Sequence, residues 1–354
     1  MTYRAKDGAA LELLVREARS VCRQAELEHP RQGRGRKPII PDWVLALMIM
    51  VAVMRRKKTK SAQYRFWRRR RRVFRRWMRG HRMPSRSSFF DRYRRVHRLF
   101  EYAIQLQGVR AIERTWADAT TVAVDKSLVA GRGPNWSPTD RRRGHIPRGV
   151  DTGTTWGYSE HDGWVQGYAY EVVVTASKGS TIWPLLASVD TASRSEQKSV
   201  LPKLPHLPMQ TRFLLADAGY DSNAVGETVE WKDPDQRTGR RFLCPEVRRP
   251  NTGQGQPSRQ SRDRRQHRQL RDGRRKFLRS SSGRRLYSRR KVTVEPFNAH
   301  LKHLFELEDQ VWHRGLDNNR TLLLAAIFAY QVLLAYNYRR GHAPTGLQEV
   351  LDAL

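Results

Sequence analysis

Two cysteines, Cys22 and Cys244, are all that the 354 residues contain. A disulfide framework needs more of them, and a zinc site would have to be completed by many histidines, so neither is expected and a reducing compartment fits. Acidic residues are scarce as well: 34 Asp and Glu face 68 Lys and Arg, leaving a formal charge of +34. That excess goes beyond what solubility requires and favours a polyanionic partner, nucleic acid before any other. An anionic membrane is the competing partner, but membrane binders gather charge on one amphipathic face, whereas here it spreads over segments of different character. Long apolar runs are also lacking. The opening MTYRAKDGAALELLV has no apolar signal core, and the run from Trp43 to Met54 is about a dozen residues where a bilayer span needs ~20. The expectation is a soluble, intracellular protein with no membrane partner.

What is present falls into two parts. The length suits one α/β core with a smaller domain added to it. Residues Ala9 to Glu28 read as an amphipathic helix, and the Gly and Pro of RQGRGRKPIIP mark a loop after it. Asp42 opens a helix, WVLALMIMVAVM, that is apolar almost all round and is therefore expected inside a helical bundle. The basic stretch that follows interleaves Tyr64, Phe66, Trp67, Val73, Phe74 and Trp77 with arginines, which implies helices packed on a small core. Ser85 is a candidate N-cap for a helix carrying Phe89, Tyr93, Val96 and Phe100 at helical spacing.

Near Arg114 the pattern changes to short apolar runs typical of strands: TWADATTVAV, WVQGYAYEVVVT, TIWPLLASV and RFLLADAGY. After Cys244 comes a polar, basic stretch nearly free of aliphatics, expected to be a mobile insertion at about 246–286 because it buries too little apolar surface to offset ordering entropy. Helices from about Pro296 to Leu307 and from Asn318 to about Tyr338 close the chain. The expected division is a helical, basic domain over 1–110 and an α/β domain over 111–345.

Three acids stand out. Asp118 lies in a strand-like run whose alternation places it with Trp116, Thr120, Val122 and Val124, and Asp is depleted in strands; the alternative is a turn Asp bonding its own backbone. Asp217 closes the continuous apolar run of a strand buried on both faces, at the carboxyl edge where α/β sheets gather ligand chemistry; a cap or turn role is its alternative. Glu295 precedes PFNAHLKHLFEL, in which Phe297, Leu301, Leu304 and Phe305 form an apolar stripe while Glu295, Asn298, Lys302 and Glu306 share another face. Taken alone, a Glu there is more often a surface charge complementing the helix dipole.

The order of these segments resembles the DDE transposases of bacterial insertion sequences, the group with a Tyr, Arg, Glu, Lys signature around its third acid. ADATTVAV is similar to that group's first-Asp strand, GWVQGYAYEVVV to its Gly-Tyr hairpin, LLADAGYDS to its second-Asp segment and YSRRKVTVEPFNAHLK to its third-Glu helix. Two features depart from the pattern. Arg290 stands one position early, with Lys291 in the signature slot, and Ala169 and Glu171 replace residues that are commonly basic and His.

The resemblance implies an RNase H-like mixed sheet with flanking helices, preceded by an all-helical N-terminal DNA-binding domain. It implies that Asp118, Asp217 and Glu295 are catalytic and hold two Mg²⁺ or Mn²⁺ ions, which can activate the attacking oxygen and neutralise the leaving one. Tyr287, Arg290 and Lys302 would hold DNA beside the cut, joined by Arg68, Arg69, Arg72, Arg75 and Arg76 of the N-terminal basic run as phosphate contacts. Trp312 is either a strand-distorting residue, with Arg314, or a core aromatic, and His300 and His303 read as helix-surface histidines. The implied partners are double-stranded DNA, both terminal inverted repeats and target, and a second copy of the chain, in a prokaryotic, nucleoid-associated setting. A transposase-derived DNA-binding protein without activity and an RNase H-type nuclease without strand transfer are the alternatives.

Overall fold

The computed structural model describes residues 3–30, 40–233, 236–246 and 262–354. Six helices come first: α1 (Tyr3–Glu28), α2 (Asp42–Met54), α3 (Lys60–Arg69), α4 (Arg71–Trp77), α5 (Arg86–Tyr93) and α6 (His97–Glu113). The starts of α2, α3 and α5 are capped from nearby. Glu26 of α1 accepts from the N–H groups of Asp42 and Trp43, while the hydroxyls of Thr59 and Ser85 accept from Ala62 and Ser88. The interleaved aromatics of α3 and α4 turn inward: Trp67 packs edge-on against Phe66, Phe74 and Trp77 and donates its indole N–H to the Met48 carbonyl at 2.8 Å. The helix expected after Ser85 is two, α5 and α6.

The strands follow: β1 (Thr121–Ala130), then, after the short helix α7 (Pro138–Arg142), β2 (Thr155–Ser159), β3 (Gly163–Thr175) and β4 (Pro184–Thr191). Helix α8 (Glu196–Val200) and a 3-10 turn over Leu201–His206 lead to β5 (Phe213–Leu215), α9 (Asn223–Glu230), the small ribbon β6 (Trp231–Asp233) and β7 (Gln236–Arg237), and β8 (Arg241–Leu243). The chain ends in α10 (Arg262–Arg279), α11 (Ser281–Tyr287), α12 (Lys291–Leu304), α13 (Leu316–Arg340) and α14 (Leu347–Asp352). The main sheet runs in the order β2-β3-β1-β5-β8, with β4 also on β3. β3 pairs antiparallel with β1, β2 and β4, whereas β1, β5 and β8 are parallel, so the sheet is mixed. This is the expected architecture: an α/β fold with a mixed sheet, flanking helices and a helical N-terminal region, consistent with an RNase H-like domain.

The boundary expected near residue 110 divides the chain and its charge but not the core. One cluster of buried side chains runs from Leu11 in α1 through the strands to Leu354. Helix α13 joins the two parts. Phe328 on it meets Phe100 of α6, and the Gln331 amide donates to the Ile104 carbonyl of α6 and the Pro184 carbonyl of β4. α13 is long and apolar enough to span a bilayer, but 89 % of its apolar window is buried inside the protein, which marks it as the core helix. Gly315 (φ 84°) precedes it and Gly341 (φ 68°) ends it in the left-handed conformation.

The expected mobile insertion is corrected over its second half; residues 247–261 lie outside the described residues. Arg262 to Tyr287 forms α10 and α11. The few apolar groups there suffice because they fall on one side. Phe277 stacks on Phe213 of β5, and the Arg274 guanidinium lies over Phe242 of β8.

Because one core serves both parts, far-ultraviolet circular dichroism and tryptophan fluorescence should report a single unfolding transition in urea. Phe328→Ala should lower stability by ~3–5 kcal/mol, the usual cost of emptying an aromatic site in a core. Separate transitions for the N-terminal helices and the sheet would contradict the shared core.

Candidate active site

Parallel pairing sets Thr121, Val122 and Ala123 of β1 opposite Phe213, Leu214 and Leu215 of β5. Two residues further along each strand stand Asp125 and Asp217, so the register brings these two carboxylates level where β5 ends. Asp217 caps the short 3-10 turn that follows by accepting from the Gly219 N–H at 3.0 Å, and this bond turns the chain away and leaves the carboxylate at the sheet edge. The third wall is α12. Its Asn298 donates to Asp125 Oδ2 at 2.8 Å, and Glu295, one turn earlier and exposed, lies close enough to act electrostatically on Asp125.

Arg290, at the start of α12, lies between the two aspartates. Its Nη2 reaches Asp125 Oδ1 at 2.7 Å and Asp217 Oδ2 at 3.1 Å. Burial pushes the Asp125 carboxyl up to about 6; Arg290 opposes the rise, while Asp217 and Glu295 add to it. A fourth acid, Glu196 of α8, packs against Gly219 and is pushed up to about 7 by burial and then by Asp217. Behind the aspartates a buried network holds the loop after Asp217. Glu171 of β3 accepts from Lys203 Nζ at 2.6 Å and from the Tyr220 hydroxyl at 2.9 Å. The position that departs from the signature at Glu171 is therefore an anchor for the turn bearing the second aspartate.

Asp118, expected as the first carboxylate, is not in this cluster. The strand begins at Thr121, so the alternation that placed Asp118 on a strand face starts too early. Asp118 is exposed, accepts from the Thr120 N–H at 2.7 Å and is tied through its own N–H to Ser180 Oγ at 2.9 Å. Partial burial works against its charged form, yet bonds from Thr120 and Ser177 outweigh it and hold the carboxyl below the usual range. At ~3.3 Å per residue of strand, it lies roughly 20 Å of chain before Asp125. Its turn-residue alternative is what the structure shows. Asp125 could have been found: TVAVD and FLLAD are matching apolar runs closed by Asp, and parallel strands aligned on them place both acids together.

The remaining expected residues divide in the same way. Tyr287 donates to the Ala216 carbonyl at 3.2 Å beside Asp217, and Lys302 lies half-buried on α12 within electrostatic reach of Asp162 and Asp125. Lys291, in the signature slot, is exposed, so Arg290 is the cation that reaches the carboxylates. Arg68, Arg69, Arg72, Arg75 and Arg76 are all exposed on α3 and α4. Trp312 is a core aromatic. His303 is exposed beside Glu308, and His300 lies against Tyr330.

In chelator-treated protein Asp125 should titrate near pH 6, against ~3.9 for an unperturbed Asp. A carboxyl whose folded value is raised contributes stability that is complete below pH ~4 and is lost as the pH climbs through its folded value. Asp125→Asn removes that loss. Its stability relative to wild type should therefore grow as the pH rises through this window, as urea melts at several pH values would read; a constant difference would contradict the burial of Asp125.

The family described as transposase DDE domain matches residues 110–332, an interval that takes in β1, β5 and α12 and covers well over half of the chain. No curated protein and no solved structure gives a match. With the match spanning the elements that carry Asp125, Asp217 and Glu295, the chain belongs to the DDE transposase family.

Proposed function

We propose that the protein is a DNA transposase that cuts at the ends of its element and joins the freed 3′ ends to target DNA, with Asp125, Asp217 and Glu295 as its acidic triad. The observation that carries this reading is the levelling of Asp125 with Asp217 by the β1–β5 register, with α12 closing the third side. The donor set suits hard divalent cations, since it consists of carboxylate oxygens with the Asn298 amide beside them. Asn298 Oδ1 is buried with no partner, an oxygen acceptor still to be satisfied at this place. Among the described residues no three His, Cys, Asp or Glu side chains close to metal-holding distance, and Arg290 already stands between the two aspartates as their counter-cation.

Asp125 and Asp217 would hold Mg²⁺ or Mn²⁺ between them, and Glu295 a second ion with Asp125; when bound, such ions supply activation of the attacking oxygen and neutralisation of the leaving one. The protein's own groups do the rest. Asn298 fixes the rotamer of Asp125, the Glu171 network fixes the turn bearing Asp217, and Tyr287 braces the end of β5. Lys302 supplies positive charge beside the acids for the DNA backbone.

Away from the acids, α3 and α4 turn a row of exposed arginines outward over their aromatic core. Arg55, Lys57, Arg65, Arg69 and Arg70 surround Phe66 in a surface pocket of about 430 Å³. This face would grip the duplex through its phosphates, and two copies of the chain would pair two element ends on one target.

Asp125→Asn, Asp217→Asn and Glu295→Gln should each abolish Mg²⁺-dependent nicking of element-end DNA while leaving DNA binding in place, and Asp118→Asn should nick at close to the wild-type rate. Full activity in Asp125→Asn, or none in Asp118→Asn, would overturn the assignment. Supplying pre-cut ends tests the second half of the proposal; absence of joined products would reduce the protein to a nuclease. Replacing Arg68, Arg69, Arg72, Arg75 and Arg76 with Ala should lower the magnitude of the slope of log affinity on log salt by ~0.9 for each phosphate the protein no longer neutralises, and an unchanged slope would place the grip elsewhere.

A further inference from the structure

Arg290 is held where a divalent cation would be needed, and its seat is incomplete. Both of its ion pairs are made by Nη2 alone, and its Nε is buried with no partner. A guanidinium offers five N–H donors in a rigid fork and stays charged at any pH a protein tolerates. A buried donor without a partner is a standing cost, so this arrangement leaves part of the guanidinium unsatisfied. The backbone at this point is tied down by bonds from the Arg290 N–H to the Tyr287 carbonyl and from the Val294 N–H to the Arg290 carbonyl. Only the side chain is therefore free to change partners.

The oxygens that Arg290 occupies are the ones a cation between Asp125 and Asp217 would take. Two positive groups cannot share them: a dication a few ångströms from a guanidinium is repelled, and in a half-buried site that repulsion is weakly screened. Arg290 leaves as a cation and needs another anion. The anion that the substrate brings to this place is a DNA phosphate, whose oxygens match the planar fork in a two-point contact.

We propose that Arg290 is a positioning residue with two alternative partners: without a divalent cation it neutralises Asp125 and Asp217, and when the cation takes those oxygens its guanidinium turns to a phosphate of the bound DNA. The inference rests on the metal-dependent reading above. It adds that the aspartates are kept together, and their repulsion offset, by a residue that the cation displaces. The exchange would couple loading of the cation to gripping of the DNA at the cut.

The test is Mn²⁺ binding to the full-length protein without DNA, followed by calorimetry, for wild type and Arg290→Gln. Removal of a like charge from between the two carboxylates should tighten Mn²⁺ binding at least ~10-fold, even though nicking of end DNA falls. A residue that merely props up the fold would weaken both. Equal or weaker Mn²⁺ binding by a folded Arg290→Gln protein overturns the proposal. If Arg290→Gln loses its helical circular dichroism, Arg290→Met decides on the same readout: it removes the same charge from a side chain that still fills the half-buried place, so Mn²⁺ should again bind more tightly than to wild type, and equal or weaker binding again overturns the exchange. Failure of wild type and both variants to bind Mn²⁺ at all would remove the metal-dependent reading itself, an outcome distinct from binding that is indifferent to residue 290.

Discussion

The parallel pairing of β1 with β5 is the constraint from which the rest of the site follows. Once Thr121 lies beside Phe213, the regular rise of the strands leaves no freedom in where Asp125 and Asp217 stand relative to each other. A slip of one residue would turn one of the two to the opposite face of the sheet. The apolar runs leading to both acids oppose such a slip, since Val122, Ala123, Val124, Leu214, Leu215 and Ala216 are all buried, and exchanging their faces would break the close packing on both sides of the sheet. The placement of the two aspartates is thus guarded by residues that have no chemistry of their own.

Electrostatics works against this arrangement and shapes what surrounds it. Burial raises the affinity of Asp125 and of Glu196 for protons, and the charge of Asp217 beside them raises it further. The chain as a whole is strongly cationic, yet distant surface charge is screened within about 8 Å at physiological salt and gives little relief here. Relief is local. Arg290 and Asn298 each take one oxygen of Asp125, and Lys203 and Tyr220 satisfy Glu171 behind it. The protein's net charge and its site charge are of opposite sign, which is a workable division for the proposed function, with a polyanion as substrate and a cation as cofactor.

Much of this was legible in the residues, and the failures have definite causes. The place of Asp217 at the end of a buried strand was readable from the continuous apolar run before it, and the helix face of Glu295 from the apolar stripe of α12. The helix itself begins at Lys291, ahead of the start expected at Pro296, since a proline past the first turn is tolerated here within α12. Asp118 misled because local composition cannot tell where a strand starts; pairing decides that, and the residues facing its first positions, Thr175 and Phe213, are distant in sequence. Helix α10 was missed for a related reason. Its few apolar groups look insufficient until Phe213 is seen to receive Phe277 and Phe242 the Arg274 guanidinium, both on strands elsewhere in the chain. Departures from the signature at Arg290 and Glu171 gave no hint of their roles, because both act through partners distant in sequence.

The core that α13 threads from the helical region into the sheet has a mechanical corollary. A protein whose gripping arginines hang from a hinged domain can reach variable distances along its substrate, but here α2 and α6 are sealed to α13 by buried side chains, and α13 is sealed in turn to β4. The spacing between the arginine face of α3 and α4 and the carboxylates at the end of β5 is then a property of the folded chain, as rigid as a carpenter's jig. On the function proposed above, measuring off the end of the element would be a matter of geometry, with no separate ruler required.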